Sequence, residues 1–520
     1  MELFNACEYL LDRRVRAGDG ERIALRIQGR SLTYTQLLRE VSGAAAGLRD
    51  LGVRPEERVL LVLPDNSEFV IAFLAALRLG AIPLPLNPLL PGPDLAFAAA
   101  DSRARVAVLS THCASAAADL VEGAPELATL VMVGDGSVPQ VADVSIHSWS
   151  DVTSGTIELA PYPTREDSPG FWLCTSGTTG RPKLAMHRHI DLKLTAEGFA
   201  QDVLELTAAD RCFSVGPAFH AYGLGNSLTF PLSVGATSIL EPKRPPTPRL
   251  VAEIIRSEQP TIFFSVPTHY AALLAAELPP ETFSSVRLAV SAGEALPSEL
   301  FARFLQRFGV EILDVVGSTE LTHAYIASHP GRVRPGTSGT PVSGYQLRLE
   351  DDDGNEVPPG TPGHLSVAGA SLATGYWCLT EATRTKFIGH WFRSGDMFTR
   401  SADGFFTYLG RSDDMLKVAG EWVSPAEVES VLVEHTGVLE AAVVGACDAD
   451  GLLKPVAVIV PVQGLRIDPD VVLEFCRPRL AGFKRPRRVI VVDELPKTAS
   501  GKIQRGKVRE LAAVLPAAVG

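Results

Sequence analysis

Short apolar runs and helix-length amphipathic stretches alternate along the first hundred residues, and this alternation restricts the fold more than any other feature. "RIALRI" (22–27) reads as a strand, "TYTQLLREVSGAAAGLRDLG" (33–52) as a helix closed by Gly52, "RVLLVLP" (58–64) as a buried strand and "SEFVIAFLAALRLG" (67–80) as a second helix. Uniformly apolar strands separated by helices predict a parallel sheet covered on both faces. The pattern returns in "VAEIIRSEQPTIFFSVPTHYAALLAA" (251–276), with a helix on either side of the strand "TIFFSV". From about Gly336 the texture changes to short strands and turns, with a hairpin signal at Asp353 and Gly354, which predicts a small β-rich subdomain. Past residue 411 a compact set follows: a helix from Pro425, strands "EAAVVGA" and "PVAVIVPV", the helix "PDVVLEFCRPRL", the strand "RRVIVVD" and a short terminal helix. The expected architecture is α/β. A large N-terminal domain of several subdomains, 1–411, is followed by a small α+β domain, 412–520. The proline-rich "EPKRPPTPR" (241–249) reads as a surface connection.

The chain can fill several cores, with 520 residues, 46% of them hydrophobic and 21% charged. A net charge of -12 argues against a polynucleotide partner or an anionic membrane surface. The long apolar stretch "FLAALRLGAIPLPL" (73–86) is broken by Arg78 and two prolines, so no membrane insertion is expected. The N-terminus carries its charges after its apolar residues, unlike a secretory signal, and "PAAVG" is no peroxisomal address. The 7 cysteines are scattered and odd in number, with no pair at metal-ligand spacing. A reduced, cytoplasmic protein is the simplest expectation.

"CTSGTTGRPK" (174–183) has the parts of a phosphate site. Thr175, Ser176, Thr178 and Thr179 bring hydroxyls, Gly177 and Gly180 let the backbone approach an anion, and Lys183 adds a point charge. It is not a Walker loop, which needs four residues between its glycines and Lys followed by Ser or Thr. Taken alone, the stretch fits an ordinary Ser/Thr/Gly turn equally well.

Three companions decide the matter: "GSTE" (317–320), "SGD" (394–396) with "YLGRSDDMLKVAGEWVSPAEVE" (408–429), and "LPKTASGKIQR" (495–505). In this order, together with "TSGTTGRPK", they resemble the adenylate-forming superfamily of acyl- and aryl-CoA synthetases, peptide-synthetase adenylation domains and beetle luciferases. The resemblance covers almost the whole chain. It implies that a carboxylate attacks the α-phosphate of ATP, giving an acyl-adenylate and pyrophosphate, and that a thiol then takes the acyl group. By resemblance, 175–183 would hold the β- and γ-phosphates and stabilise the leaving pyrophosphate. Thr319 would contact the α-phosphate and Glu320 would hold Mg²⁺. Gly293, Glu294 and Ala295, with Asp314, Val315, Val316, Gly317 and Ser318, would wall the adenine, a sheet-edge backbone offering donors and acceptors. Asp396 and Arg411 would grip the ribose, and Lys502 would span the carboxylate and phosphate as the bond forms. The small C-terminal domain would rotate about Asp413 between half-reactions. Lys417, Gly420, Glu421 and Trp422 would then line the pantetheine tunnel. A non-catalytic homologue is disfavoured by intact Glu320, Asp396, Arg411 and Lys502.

For the acid, "GPAFHAYGLGNSLTFPLSVGAT" (216–237) lacks the aspartate that amino-acid-activating relatives place after an aromatic residue. It is most similar to the benzoate–CoA ligase group. That similarity implies a short, flat pocket made by Phe219, Ala221, Tyr222, Gly293, Gly317 and His323, with His220 near the carboxylate. The expected substrate is a small aromatic acid of benzoate size. An ortho hydroxyl or amino group could meet His323, Tyr222 or Ser318. The acceptor would be coenzyme A or, as the alternative, a separate carrier protein. His187 and His189 invite a metal reading, although two histidines without a third ligand are more often simply exposed or packed. Leu184 stands where the superfamily usually has glycine, and its side chain could narrow the loop's motion or alter ATP affinity while removing none of the phosphate ligands.

Overall fold

A computed structural model describes residues 2–136, 141, 143–155, 158–175, 182–418, 421–448, 452–462, 464–497 and 503–514. Two parallel sheets organise the N-terminal part. In the five-stranded sheet, Arg58–Val62 lies between Ile82–Pro85 and Val106–Ser110, followed outward by Thr129–Val133 and Ser145–Ser148. All four pairings are parallel. The nine-stranded sheet has Thr237–Leu240, Arg211–Ser214, Ile262–Ser265, Leu288–Ala292 and Ile312–Gly317 side by side and parallel, then Ala324–Ala327 and Thr340–Pro341 antiparallel.

The expected helices and strands form, but the N-terminal alternation does not stay in one sheet. Ile23–Ile27 joins the nine-stranded sheet by pairing in parallel with Thr237–Leu240, while Arg58–Val62 starts the other. The helix between them, Tyr34–Asp50, explains the switch. Its Thr33 cap is reciprocated by Gln36, and its run of small residues, Ser42 through Ala46, is buried all the way round the helix, which permits close approach to its neighbours. A side chain at Gly47 would stand 1.9 Å from the Val152 carbonyl oxygen. One helix can therefore pack tightly into the core that it shares with Leu61, Val108 and Leu240.

The β-rich subdomain is present as a five-stranded sheet around Gly363–Gly369 and Trp391–Arg400. The Asp353–Gly354 turn forms, with Gly354 N donating to Asp351 O at 3.1 Å. However, it caps an excursion, 351–362, instead of joining the paired strands Tyr345–Glu350 and Gly363–Gly369 directly. The C-terminal elements follow expectation: Pro425–Val433, Val438–Cys447, Leu453–Pro461, Pro469–Cys476, Arg488–Val491 and Arg505–Val514. Two apolar clusters there draw on no residue before Leu416. The connection 241–249 is more than a surface link, because the Arg244 side chain is only 12% exposed and pairs with Asp65. Among the described residues, no helix is long and apolar enough to cross a membrane.

Candidate active site

Carboxyl ends of parallel strands are where open α/β sheets bind ligands, and the nine-stranded sheet gathers most candidates there. Arg211–Ser214 leads into 215–222, Leu288–Ala292 into Gly293, Glu294 and Ala295, and Ile312–Gly317 into Ser318, Thr319 and Glu320. Phe219 is buried, with its ring 4.6 Å from that of His220, which opens the helical turn Ala221–Leu224. Tyr222 ties three strands together, its hydroxyl lying 3.1 Å from the carbonyls of both Ser265 and Val290. Its single hydrogen is thus engaged by the backbone, and its oxygen is left as an acceptor. His323 is buried among Phe199, Tyr222 and Phe230, with Nε2 3.2 Å from Asn226 Oδ1. Burial lowers its pKa to about 3, so it is a neutral imidazole. Gly317 must be glycine: a Cβ there would stand 2.4 Å from the His323 carbonyl oxygen.

At this strand end Asp314 and Val315 pair with Ser291 and Ala292 on one side, and Val315, Val316 and Gly317 pair with Ala327, Ile326 and Ala324 on the other. Asp314 is buried, and burial pushes its carboxyl up to about 8 against hydrogen bonds from Ser338 and Val315. Its Oδ1 has no partner among the described residues.

Thr175 and Lys183 are the last paired residues of the antiparallel hairpin Pro169–Thr175 and Lys183–Arg188. Ser176, Gly177, Thr178, Thr179 and Gly180 lie outside the described residues. Strand alternation sends Leu184 away from Lys183, into the core of Leu60, Val62 and Trp172. Leu184 is thus a core residue at the root of the hairpin. His187 and His189 are packed. His187 Nε2 donates to the Thr319 carbonyl at 2.8 Å, and its ring stacks on Phe171 at 4.9 Å. His189 Nδ1 accepts from Ala6 N at 3.1 Å. Among the described residues, no group of three or more His, Cys, Asp or Glu could hold a metal.

Asp396 and Arg411 face each other across paired strands, forming an ion pair at 3.0 Å. Two residues that the sequence reading passed over bind these motifs together. Tyr376 donates its hydroxyl to Glu320 Oε1 at 2.6 Å and sets its ring 5.2 Å from Lys183 Nζ. Lys386, at the end of the helix Thr380–Lys386, carries an ammonium whose pKa is lowered by burial and by Arg411, while Asp396 and Glu320 act to raise it. A Cβ at Gly395 would meet that ammonium at 3.0 Å and Arg411 Nη2 at 3.1 Å. Neither residue sits in a phosphate-type motif. The only sequence signal was their place between two motifs that had to converge.

The chain matches the AMP-binding enzyme family over residues 11–377 and its C-terminal domain over residues 427–502. This protein belongs to the AMP-binding enzyme family. It is 43% identical to a benzoate–CoA ligase of Thauera aromatica over 517 residues, 98% of this chain and 96% of that one. It is 41% identical to a 4-hydroxybenzoate–CoA/benzoate–CoA ligase of Rhodopseudomonas palustris over 523 residues, 98% and 94% of the two chains. Its structure is similar to that of an anthranilate CoA ligase in complex with anthranoyl-AMP, with a TM-score of 0.93 and 38% identity, covering 99% of each chain. The family resemblance read from the four motifs is borne out.

In this family member the C-terminal candidates belong to a separate packing unit. The hairpin Leu416–Val418 and Glu421–Val423 packs through Leu416, Val418 and Val423 into the C-terminal core. It holds Lys417 Nζ 5.1 Å from the Trp422 ring, with Glu421 exposed. Gly420 and Lys502 lie outside the described residues. Asp413 sits between two anchored neighbours. Ser412 N donates to Gly395 O at 2.9 Å, and Ser412 Oγ lies 3.0 Å from His364 Nδ1. Asp414 instead pairs with Arg505 and Arg509 of the terminal helix, and Arg505 also pairs with Glu429 at 2.6 Å.

Proposed function

We propose that this protein is an ATP-dependent, AMP-forming aryl-CoA ligase acting on a small aromatic acid of benzoate type. The observation that carries the reading is the stacking of Tyr222 on His323, three residues past Glu320, which interacts through Lys386 with Asp396 and Arg411, in a chain similar throughout to benzoate– and anthranilate–CoA ligases. The acid seats its ring against Phe219, Ala221, Tyr222, Gly293, Gly317 and the neutral face of His323. Its carboxylate is turned toward His220 and Thr319. An ortho substituent would look to Ser318, whose buried Oγ has no partner among the described residues, to His323 or to the Tyr222 oxygen as an acceptor.

Adenine would lie beside Gly293, Glu294, Ala295 and Gly317, with the unpartnered Asp314 Oδ1 suited to an amino group. Asp396 and Arg411 would hold the ribose. The acid carboxylate attacks the α-phosphorus and pyrophosphate leaves, its growing charge met by Lys183, Lys386 and the loop 175–183. Lys502 is assigned to the bond being made. Glu320 fits a Mg²⁺ site as a hard oxygen donor held in place by Tyr376. One protein carboxylate suits an ion that keeps waters and phosphate oxygens, and when bound the ion offsets phosphate charge. We assign two bodies, 1–411 and 412–520. Asp413 is the pivot because its neighbours are tied to opposite sides. Turning there would bring Lys417, Gly420, Glu421 and Trp422 toward the adenylate for attack by the thiol of CoA on the acyl carbon, releasing AMP.

The test supplies benzoate and its hydroxy and amino derivatives with ATP, Mg²⁺ and CoA, recording AMP release and thioester mass. Formation of an aryl-CoA is expected. No turnover of any aryl acid would refute the substrate class, and AMP without thioester would refute CoA as the acceptor.

A further inference from the structure

One buried ion pair near the site has no part in the chemistry above. Asp65, just past the strand Arg58–Val62, is 1% exposed and pairs with Arg244. Both Asp65 oxygens also lie 3.1 Å from the amide nitrogen of Ala218, which donates between them. Arg244 Nη1 donates to the carbonyls of Ser214 at 2.9 Å and Val215 at 2.6 Å. The segment after Arg244 is braced in turn: His269 Nε2 donates to Pro246 O at 3.1 Å, while Nδ1 lies 3.0 Å from Ser265 Oγ. Burial, with the charge of Arg244 adding to it, lowers the pKa of His269 and keeps it neutral, so it braces by hydrogen bonding and leaves the Arg244 charge to Asp65.

A buried guanidinium–carboxylate pair adds little net stability over an apolar replacement, although removing one partner is costly. Its effect here is geometric. It grips 214–218 at both ends from an anchor on the other sheet, and that segment runs directly into Phe219 and His220. The segment has little slack, since a Cβ at Gly223 would stand 2.1 Å from the Pro217 carbonyl oxygen. Resting on the reading that 219–222 walls the acid pocket, we propose that Asp65 and Arg244 are positioning residues that set the placement of Phe219 and His220, and with it the ring size the pocket accepts.

The test compares the full-length wild type with Asp65→Asn, Arg244→Gln and the double variant. It measures kcat and KM for benzoate, for a bulkier ring-substituted acid and for ATP, with thermal unfolding alongside. Each single variant should raise KM for benzoate by about tenfold, the size of one displaced contact, and narrow the preference over the bulkier acid. KM for ATP should stay within about twofold, because the adenylate side is untouched. The double variant leaves no lone buried charge, so it should regain much of the thermal midpoint without regaining the low KM. A KM that recovers together with the midpoint, or benzoate and ATP constants that shift equally, would overturn the proposal in favour of a purely structural pair. Should the single variants fail to fold, a double variant with wild-type KM would overturn it as well. Turnover by the wild type with unaltered variants sinks the positioning role alone. A wild type inactive on every aryl acid sinks the substrate reading and the positioning role together.

Discussion

The two parallel sheets obey the same packing rules, yet they differ in what their strand ends carry. The nine-stranded sheet presents Gly293, Gly317, Thr319, Glu320 and the 219–222 loop, all at carboxyl ends. Beside the five-stranded sheet, the described residues include the buried carboxylate of Asp65 and a core that seats Trp172 and Leu184 of the hairpin Pro169–Thr175 and Lys183–Arg188. On the function proposed, one sheet offers side chains to ligands, and the other holds the offering elements still. Support and chemistry can therefore be damaged separately, which is how the division can be tested.

The largest effect should come from the supporting side. Trp172 is buried against the five-stranded sheet, with Arg58 5.5 Å from its ring and Trp377 4.8 Å away. Trp172→Ala should cost roughly 3–5 kcal/mol of stability in chemical denaturation, as large aromatic truncations do. At temperatures where the variant stays folded, KM for the acid should hold. A variant that kept full stability but lost activity would break the comparison. On the chemical side, Glu320→Gln should leave the unfolding midpoint near wild type and lower the adenylation rate by about a hundredfold, read as pyrophosphate release.

Tyr376→Phe is a finer probe, since it removes the 2.6 Å bond to Glu320 and keeps the ring beneath Lys183. Adenylation should fall roughly tenfold, the scale of one hydrogen bond to a charged group. A loss equal to that of Glu320→Gln would assign Tyr376 a larger part than positioning. The remaining test reads a slope, the pH dependence of stability. The Asp314 carboxyl is raised from 3.8 to about 8 by burial, so the stability it lends is full below pH 3.8 and lost as pH rises through about 8. The pKa of His323 is lowered from 6.5 to about 3, so its contribution is full above 6.5 and lost as pH falls. In thermal melts, the gain from Asp314→Asn should grow from pH 5 to pH 8, whereas the loss from His323→Gln should shrink from pH 7 to pH 5. Parallel slopes would show that the two groups do not sit in the environments described.

Periodicity made the helices and strands legible, because burial on one face or two leaves its mark on every residue. It could not say which sheet Ile23–Ile27 joins, since its partner at Thr237–Leu240 lies more than two hundred residues away. Motif residues such as Thr319, Glu320, Asp396 and Arg411 were legible through their spacing and company. Tyr376, Lys386, Asp65 and Arg244 were not, because an isolated Tyr, Lys, Asp or Arg is ordinary until the fold brings it to a partner. The antiparallel addition of Ala324–Ala327 beside Val315 and Val316 was equally hidden, because it is decided by a turn and leaves no apolar period to read.

Gly317 has a consequence for how such a pocket can diversify. With the His323 carbonyl oxygen only 2.4 Å from where a Cβ would be, the floor proposed for the ring is backbone and closed to substitution. Evolution toward other acids would have to work through the walls and through the segment that carries Phe219 and His220, leaving the floor as a fixed datum against which every new substrate is measured.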